Sequence, residues 1–239
     1  MQGNRRNVMS RKALKFDAKD AMKDALVSPF MVTIIMGVIM VILSAVQGFL
    51  DIWQNMIDNG SAYGDLGQTG AFAVSSIIFL VINIVVSTII QFGYQSYCLK
   101  VANRDDTMSY GDLFGSVRYL LKALGLILMV SLLTFLWTLL LIIPGIIAAY
   151  RYSQAVIIMV EDPSKGIMQC IRESKEMMVG HKWEYFVLEL SFILWQLLGL
   201  VTCGLAFIYV YPYMKVTFAN YYNAIKPNAV VYEEATVIE

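Results

Sequence analysis

Two charged side chains stand inside apolar sequence. Arg151 lies seven residues past Pro144 in the tract 120–160, and Glu189 lies about one helical turn into the tract 185–222. Ionisable groups at membrane depth usually face protein or a water-filled cavity, and they mark substrate paths or coupling sites. At 1.5 Å rise per residue their depths differ by roughly 5 to 10 Å. A long arginine side chain bridges part of that gap, so the two either interact or snorkel separately to the interface. Gln154 and Gln196 share the neighbourhood of these charges, and the four residues form the candidate substrate or coupling set. With Asn83, Gln91 and Gln95 they either line a polar path or tie helices together by hydrogen bonds.

Other chemistry is thinner. His181 is the single histidine, and Cys98, Cys170 and Cys203 lack metal-site spacing. Asp105-Asp106 and Glu161-Asp162 are adjacent acidic pairs that read as loop solubility and helix capping. The sequence contains no H-E-x-x-H, no G-x-G-x-x-G and no P-loop. No catalytic residue, metal site or cofactor is therefore expected, and an enzyme is the least favoured reading.

The elements that must position these residues follow from composition. The chain has 239 residues, 58% hydrophobic and 15% charged, with mean hydropathy +0.63. Soluble domains carry about 25% charged residues, so the deficit points to lipid as solvent. Net charge is zero, which gives no electrostatic basis for nucleic acid binding. A membrane helix needs roughly 20 apolar residues. The expectation is an all-α polytopic membrane protein of about six transmembrane helices plus amphipathic interfacial helices. The spans are placed near 30–50, 71–98, 120–143, 145–161, 185–203 and 205–223, within one membrane domain, 29–224.

Lys and Arg gather in cytoplasmic loops. Residues 1–28 carry seven basic side chains, and 99–122 and 161–184 carry four each. The segment 51–70 has Asp51, Asp58 and Asp65 without Lys or Arg. Both termini, including the tail 225–239, are thus expected in the cytoplasm of a multi-pass cell-membrane protein, with the first span as an uncleaved insertion signal. Two consecutive inside loops require the tract between them to go out and return, so Pro144 and Gly145 are expected at or near the outer turn. A kinked or re-entrant limb is the alternative. A weak repeat lays residues 136–143 over 194–201 and Gly145 over Gly204, which makes the last tract a second hairpin.

Residues 10–27 place Leu14, Ala18, Ala21 or Met22, and Ala25 on one helical face, with Ser10 as N-cap. Such a helix can lie in the headgroup layer with its lysines near anionic lipid. Ser109 or Thr107 can cap a short helix leading into Phe114. A second surface helix is expected over 163–180. Asp162 would be its N-cap, Pro163 its first residue, an apolar stripe would follow through Ile167, Cys170, Ile171, Ser174 and Met178, and Gly180 would close it.

The stretch IPGI at 143–146, EDP at 161–163 and SKEMMVGHKW at 174–183 resembles a bacterial family of uncharacterised integral membrane proteins, domain of unknown function 975. The likeness runs from RKAL at 11–14 to YPY at 211–213. More remotely, the layout resembles the membrane domain attached to some glycerophosphodiester phosphodiesterases, whose catalytic domain is absent here. The resemblance implies a bacterial plasma-membrane protein and transfers no catalytic residues. The leading expectation is a non-enzymatic accessory or envelope-homeostasis component with an unknown membrane protein partner. The alternative is a transporter or permease for a small molecule or lipid.

Overall fold

The computed structural model describes residues 10–60, 66–202 and 204–226, with side chains left undescribed at 54, 57–60 and 66–73. Arg5, Arg6, Asp65, Cys203 and the tail from 227 lie outside the described residues, as do the side chain of Asp58 and any contact it makes. The described chain is helical: α1 Arg11–Lys23, α2 Pro29–Gly60, α3 Leu66–Ala102, a 3-10 helix Tyr110–Tyr119, α4 Leu120–Leu140, α5 Ile142–Tyr152, α6 Ala155–Glu161, α7 Ile167–Met177, α8 Lys182–Leu190, α9 Ile193–Val201 and α10 Phe207–Ile225. The fold is all-α, as composition requires.

Among the described residues, five stretches are long and apolar enough to cross a membrane: Pro29–Trp53, Val74–Ala102, Tyr110–Leu140, Ile142–Glu161 and Lys182–Val201. α10 is not among them. It carries five tyrosines, two asparagines and Lys215. Ten of its residues are nonetheless buried, all of them from Val210 to Tyr222. A helix enclosed by α1, α2, α3 and α9 does not need the uniform apolarity of one that faces lipid.

The chain reverses between α4 and α5 at Leu141, in extended conformation (φ −164°, ψ 147°). Pro144 and Gly145 lie just past that reversal, in the first turn of α5. There a helix has no partner for the N–H that proline lacks. Gly145 sits against α4, where a Cβ would stand 2.2 Å from Thr138 Oγ1 and 2.8 Å from Thr138 Cα. The second reversal, between α9 and α10, instead uses Gly204 in the left-handed region at φ +93°. The two glycines aligned by the weak repeat therefore do different work, one in helix contact and one in the turn.

Two crossings are interrupted. α5 gives way to α6 at Ser153-Gln154, where Ser153 Oγ donates to Tyr150 O at 2.9 Å. α8 gives way to α9 at Ser191-Phe192, where Ser191 Oγ donates to Leu188 O. Serine hydroxyls that bond back into the preceding turn compete with the helical ladder. The carbonyl of Ser191 is taken up by Lys15 Nζ at 3.2 Å.

α1 begins at its Ser10 cap, which accepts from Ala13 N at 3.2 Å. Leu14, Ala18, Ala21 and Met22 form its buried face, the face expected. That face is covered by α10 and α3 rather than by headgroups, because α10 offers Tyr213, Val216 and Tyr221 to the same cluster. α7 starts at Ile167, later than Pro163. The intervening residues form a turn in which Ser164 N and Oγ both donate to Asp162 Oδ1. Its stripe of Cys170, Ile171 and Ser174 is buried, and Gly180 follows at φ +85°. The 3-10 helix is capped by Ser109, with Asp112 accepting from Ser109 N. Gly93 lets it lie against α3, since a Cβ there would fall 2.0 Å from Leu113 O.

Burial divides the molecule into two parts. The ends of α3 and α10, with α1, α6, α7 and the 3-10 helix, form a packed pole that holds the buried clusters. The opposite half exposes large apolar side chains on every long helix, including Val41, Phe49, Ile77, Leu139, Leu194 and Leu200. Soluble monomers rarely expose apolar patches beyond a few hundred Å². The chain is a multi-pass helical membrane protein.

Candidate functional site

Where the packed pole meets the apolar half, a cavity of about 210 Å³ lies between α3, α10, α8 and the α5–α6 break. α3 supplies Gln91, Phe92, Tyr94 and Gln95, whose spacing puts them on one side of the helix. α10 supplies Tyr211, Lys215 and Phe218, spaced i, i+4 and i+7 along one stripe. Ser153 lines the cavity because the helix is broken there, and Tyr185 of α8 completes that wall.

Aromatic packing fixes the walls. Tyr94 and Tyr211 rings are 5.2 Å apart, and Tyr185 packs on Phe218 at 4.9 Å. The Tyr94 hydroxyl shares a 2.8 Å hydrogen bond with Thr33 Oγ1 of α2. Lys215 Nζ lies 5.6 Å from the Tyr211 ring centroid. Among the described residues Lys215 forms no ion pair, and no carboxylate lines the cavity. Gln95 is 7% exposed, and its Nε2 has no hydrogen-bond partner. The polar residues of the lining are Gln91, Gln95, Ser153, Lys215 and three tyrosines, with Gln95 Nε2 itself buried and the Tyr94 hydroxyl held by Thr33.

The residues singled out from sequence are dispersed around this cavity. Arg151 makes no ion pair with Glu189. Instead Glu189 Oε2 accepts from the Tyr150 hydroxyl at 2.9 Å, and the Arg151 carbonyl accepts from Ser174 Oγ at 3.0 Å. Tyr150, one residue before Arg151, reaches the carboxylate because its ring packs against Tyr185 and Phe186 of the same helix as Glu189. Gln154 is fully buried behind the cavity wall. Its backbone N–H donates to Ser174 Oγ at 3.2 Å and its Nε2 donates to Ser153 Oγ at 3.0 Å, while Oε1 has no partner. Gln196 Nε2 approaches Met214 Sδ at 3.5 Å on the α9–α10 seam, away from the cavity. His181 pairs through Nδ1 with Glu184 at 2.9 Å.

Lys215, Gln95, Tyr94, Tyr185, Tyr211 and Ser153 were not singled out as a set by sequence reasoning. Lys215 carried the same signal as Arg151, a charge inside an apolar tract. The i, i+4 pair Gln91 and Gln95 was a polar edge on an otherwise apolar helix.

Comparison with known proteins places one part of the chain. Residues 138–229 match DUF975, a protein family of unknown function. No curated protein and no solved structure matches the chain. The DUF975 stretch contains Ser153, Tyr185, Tyr211, Lys215 and Phe218, whereas the α3 wall of the cavity lies outside it. The two sides of the site thus come from a matched and an unmatched segment. The family description carries no activity.

Proposed function

We propose that this membrane protein binds and moves a small polar solute through the cavity around Lys215. The observation that carries this reading is a lysine that lines a partly polar cavity of the membrane domain with no countercharge among the described residues. A charge at such a position is costly, and a helix with only a scaffolding role is better served there by Met or Leu. With the basic pole in the cytoplasm, following the bias of Lys and Arg, α10 is the sixth crossing. Both termini are then inside, and the cavity lies toward the cytoplasmic boundary. The lysines of α1 and of the pole are placed to meet anionic headgroups.

The test is a thermal-stability screen of the purified chain against small metabolites, followed by uptake into proteoliposomes of any compound that binds. Val156→Phe fills the cavity from the α6 side, and Arg151→Ala and Glu189→Ala change charges outside its lining. A ligand shift present in the wild type and both alanine variants, and absent in a folded Val156→Phe, is the expected result. Loss in the alanine variants would return the site to Arg151 and Glu189.

The accessory or envelope-homeostasis reading draws on a different observation, the open apolar faces of α2 and α9. Those faces can take a partner membrane protein in place of lipid. If no compound shifts the wild type, this reading replaces the first.

A further inference from the structure

We infer that the cavity is a site for one anionic oxygen group, a carboxylate or a phosphate, held between the Lys215 ammonium and the Gln95 amide. The inference rests on the solute-binding reading above and names the chemistry of its ligand. Two residues with donor groups, from different helices, line one space, and each lacks what a folded protein normally provides. Lys215 has no carboxylate within ion-pair distance among the described residues. Gln95 is more than nine-tenths buried with its Nε2 unbonded. A buried donor left without an acceptor is destabilising, and a charged one more so. Water alone would satisfy the amide but would leave the ammonium without a countercharge. An acceptor-only group with negative charge satisfies both, and charge-assisted bonds of this kind are about twice as strong as neutral ones.

The volume limits the ligand. About 210 Å³ is below the roughly 300 Å³ at the small end of sites for drug-sized molecules. It suits a single headgroup with a short apolar continuation against Phe92, Ile157 and Phe218. The broader groove beside Arg118 and Lys122 differs in kind. There Asp112 is already paired with Lys100 at 2.8 Å, and Lys122 Nζ donates to the carbonyls of Pro163 and Ser164.

The experiment uses the full chain in non-ionic detergent and reads the unfolding midpoint against sodium phosphate, acetate and butyrate, with chloride at matched ionic strength. A second arm uses nanodiscs of phosphatidylcholine with and without phosphatidylglycerol. The variants are Lys215→Met, Lys215→Arg, Gln95→Leu and Arg118→Gln. Phosphate or a carboxylate should raise the wild-type midpoint saturably and beyond chloride. Apparent affinity should fall about tenfold or more in Lys215→Met, fall less in Gln95→Leu, and persist in Lys215→Arg and Arg118→Gln.

Without added anion, Lys215→Met should be at least as stable as wild type, which a merely structural lysine would not allow. A gain confined to phosphatidylglycerol discs assigns the group to a lipid headgroup, and a gain from soluble anions in detergent assigns it to a solute. If Lys215→Met does not fold, that alone contradicts the inference, and Gln95→Leu still reports on the anion. Equal shifts in wild type and Lys215→Met overturn the inference. So does the absence of any anion effect in both arms. A neutral compound that shifts wild type but not Val156→Phe would then leave the solute reading standing, and no compound at all would remove both.

Discussion

The packed pole and the apolar half treat their polar groups differently. In the apolar half several of them turn back on their own helices. Ser44 Oγ donates to Met40 O, Asn55 Nδ2 to Asp51 O, Thr138 Oγ1 to Thr134 O and Thr202 Oγ1 to Leu198 O. At the pole several reach across elements. Tyr97 donates to Val27 O at 2.7 Å, Tyr221 to His181 O at 3.0 Å and Tyr222 to Glu161 Oε2 at 2.5 Å. The ion pairs among the described residues lie there too, including Arg104–Asp20, Lys165–Glu173 and Lys226–Glu161. Lipid offers no hydrogen bonds, so a helix that faces it must satisfy itself. Where helices meet helices, the same groups become cross-links. Lys215 and Gln95 follow neither pattern, which is why the join between the halves stands out.

The largest expected effect tests the packing side of this contrast. Gly93→Ala pushes a Cβ into the Leu113 backbone, and neither element can retreat without opening the pole. A loss of roughly 3 kcal/mol is expected from such overpacking, measured by denaturant unfolding in detergent. Gly37→Ala on α2 has nothing within 4 Å of its added Cβ. It should instead gain up to about 1 kcal/mol from helix propensity. Equal losses at the two positions would break the distinction between the halves.

A smaller effect tests the cross-links. Tyr222→Phe leaves the Glu161 carboxylate with Lys226 but without its hydroxyl donor. The expected loss is about 1–2 kcal/mol. Ser44→Ala removes a bond internal to α2 and should stay within about 0.5 kcal/mol. If Ser44→Ala proved the costlier change, the apolar half would be held by more than lipid and helix.

Much of the fold was legible in the sequence because hydrophobic period and loop charge report local environment. Leu14 and Ala18 of α1 and Cys170, Ile171 and Ser174 of α7 were placed on their buried faces by spacing alone. What spacing could not say was what covers those faces. An amphipathic face looks the same whether it meets headgroups or α10. α3 shows the same limit, since Val74 to Ala102 is apolar throughout while Val81 is exposed and Tyr97 buried. The candidate site was legible only in pieces. Depth along a helix placed Arg151 near Glu189, but azimuth decided the contact and gave it to Tyr150. Lys215 and Gln95 are 120 positions apart in sequence, and only the packing of α10 on α3 makes them neighbours.

The smallest effect concerns the turn before α7. Asp162 is held below the usual carboxylate range, first by the Ser164 hydroxyl and then by the Ser164 N–H. An acid with a lowered folded pKa contributes stability above its unfolded value, here near 3.8. That contribution is lost as pH falls through the lower folded value. The bonds that lower it are local to one solvent-exposed turn, so the whole protein should barely register the change. The local turn should, because Lys165 N also donates to Asp162 O at 3.2 Å and Lys165 is paired with Glu173 at 2.7 Å. Hydrogen exchange at residues 164–167 should speed up as pH is lowered below 4, after correction for intrinsic rates, and Asp162→Ala should show the faster exchange at every pH. Exchange at Tyr222, in the packed pole, should not respond. A response there would mean that the turn and the pole open together, and that the pole is held at its surface rather than by its buried clusters.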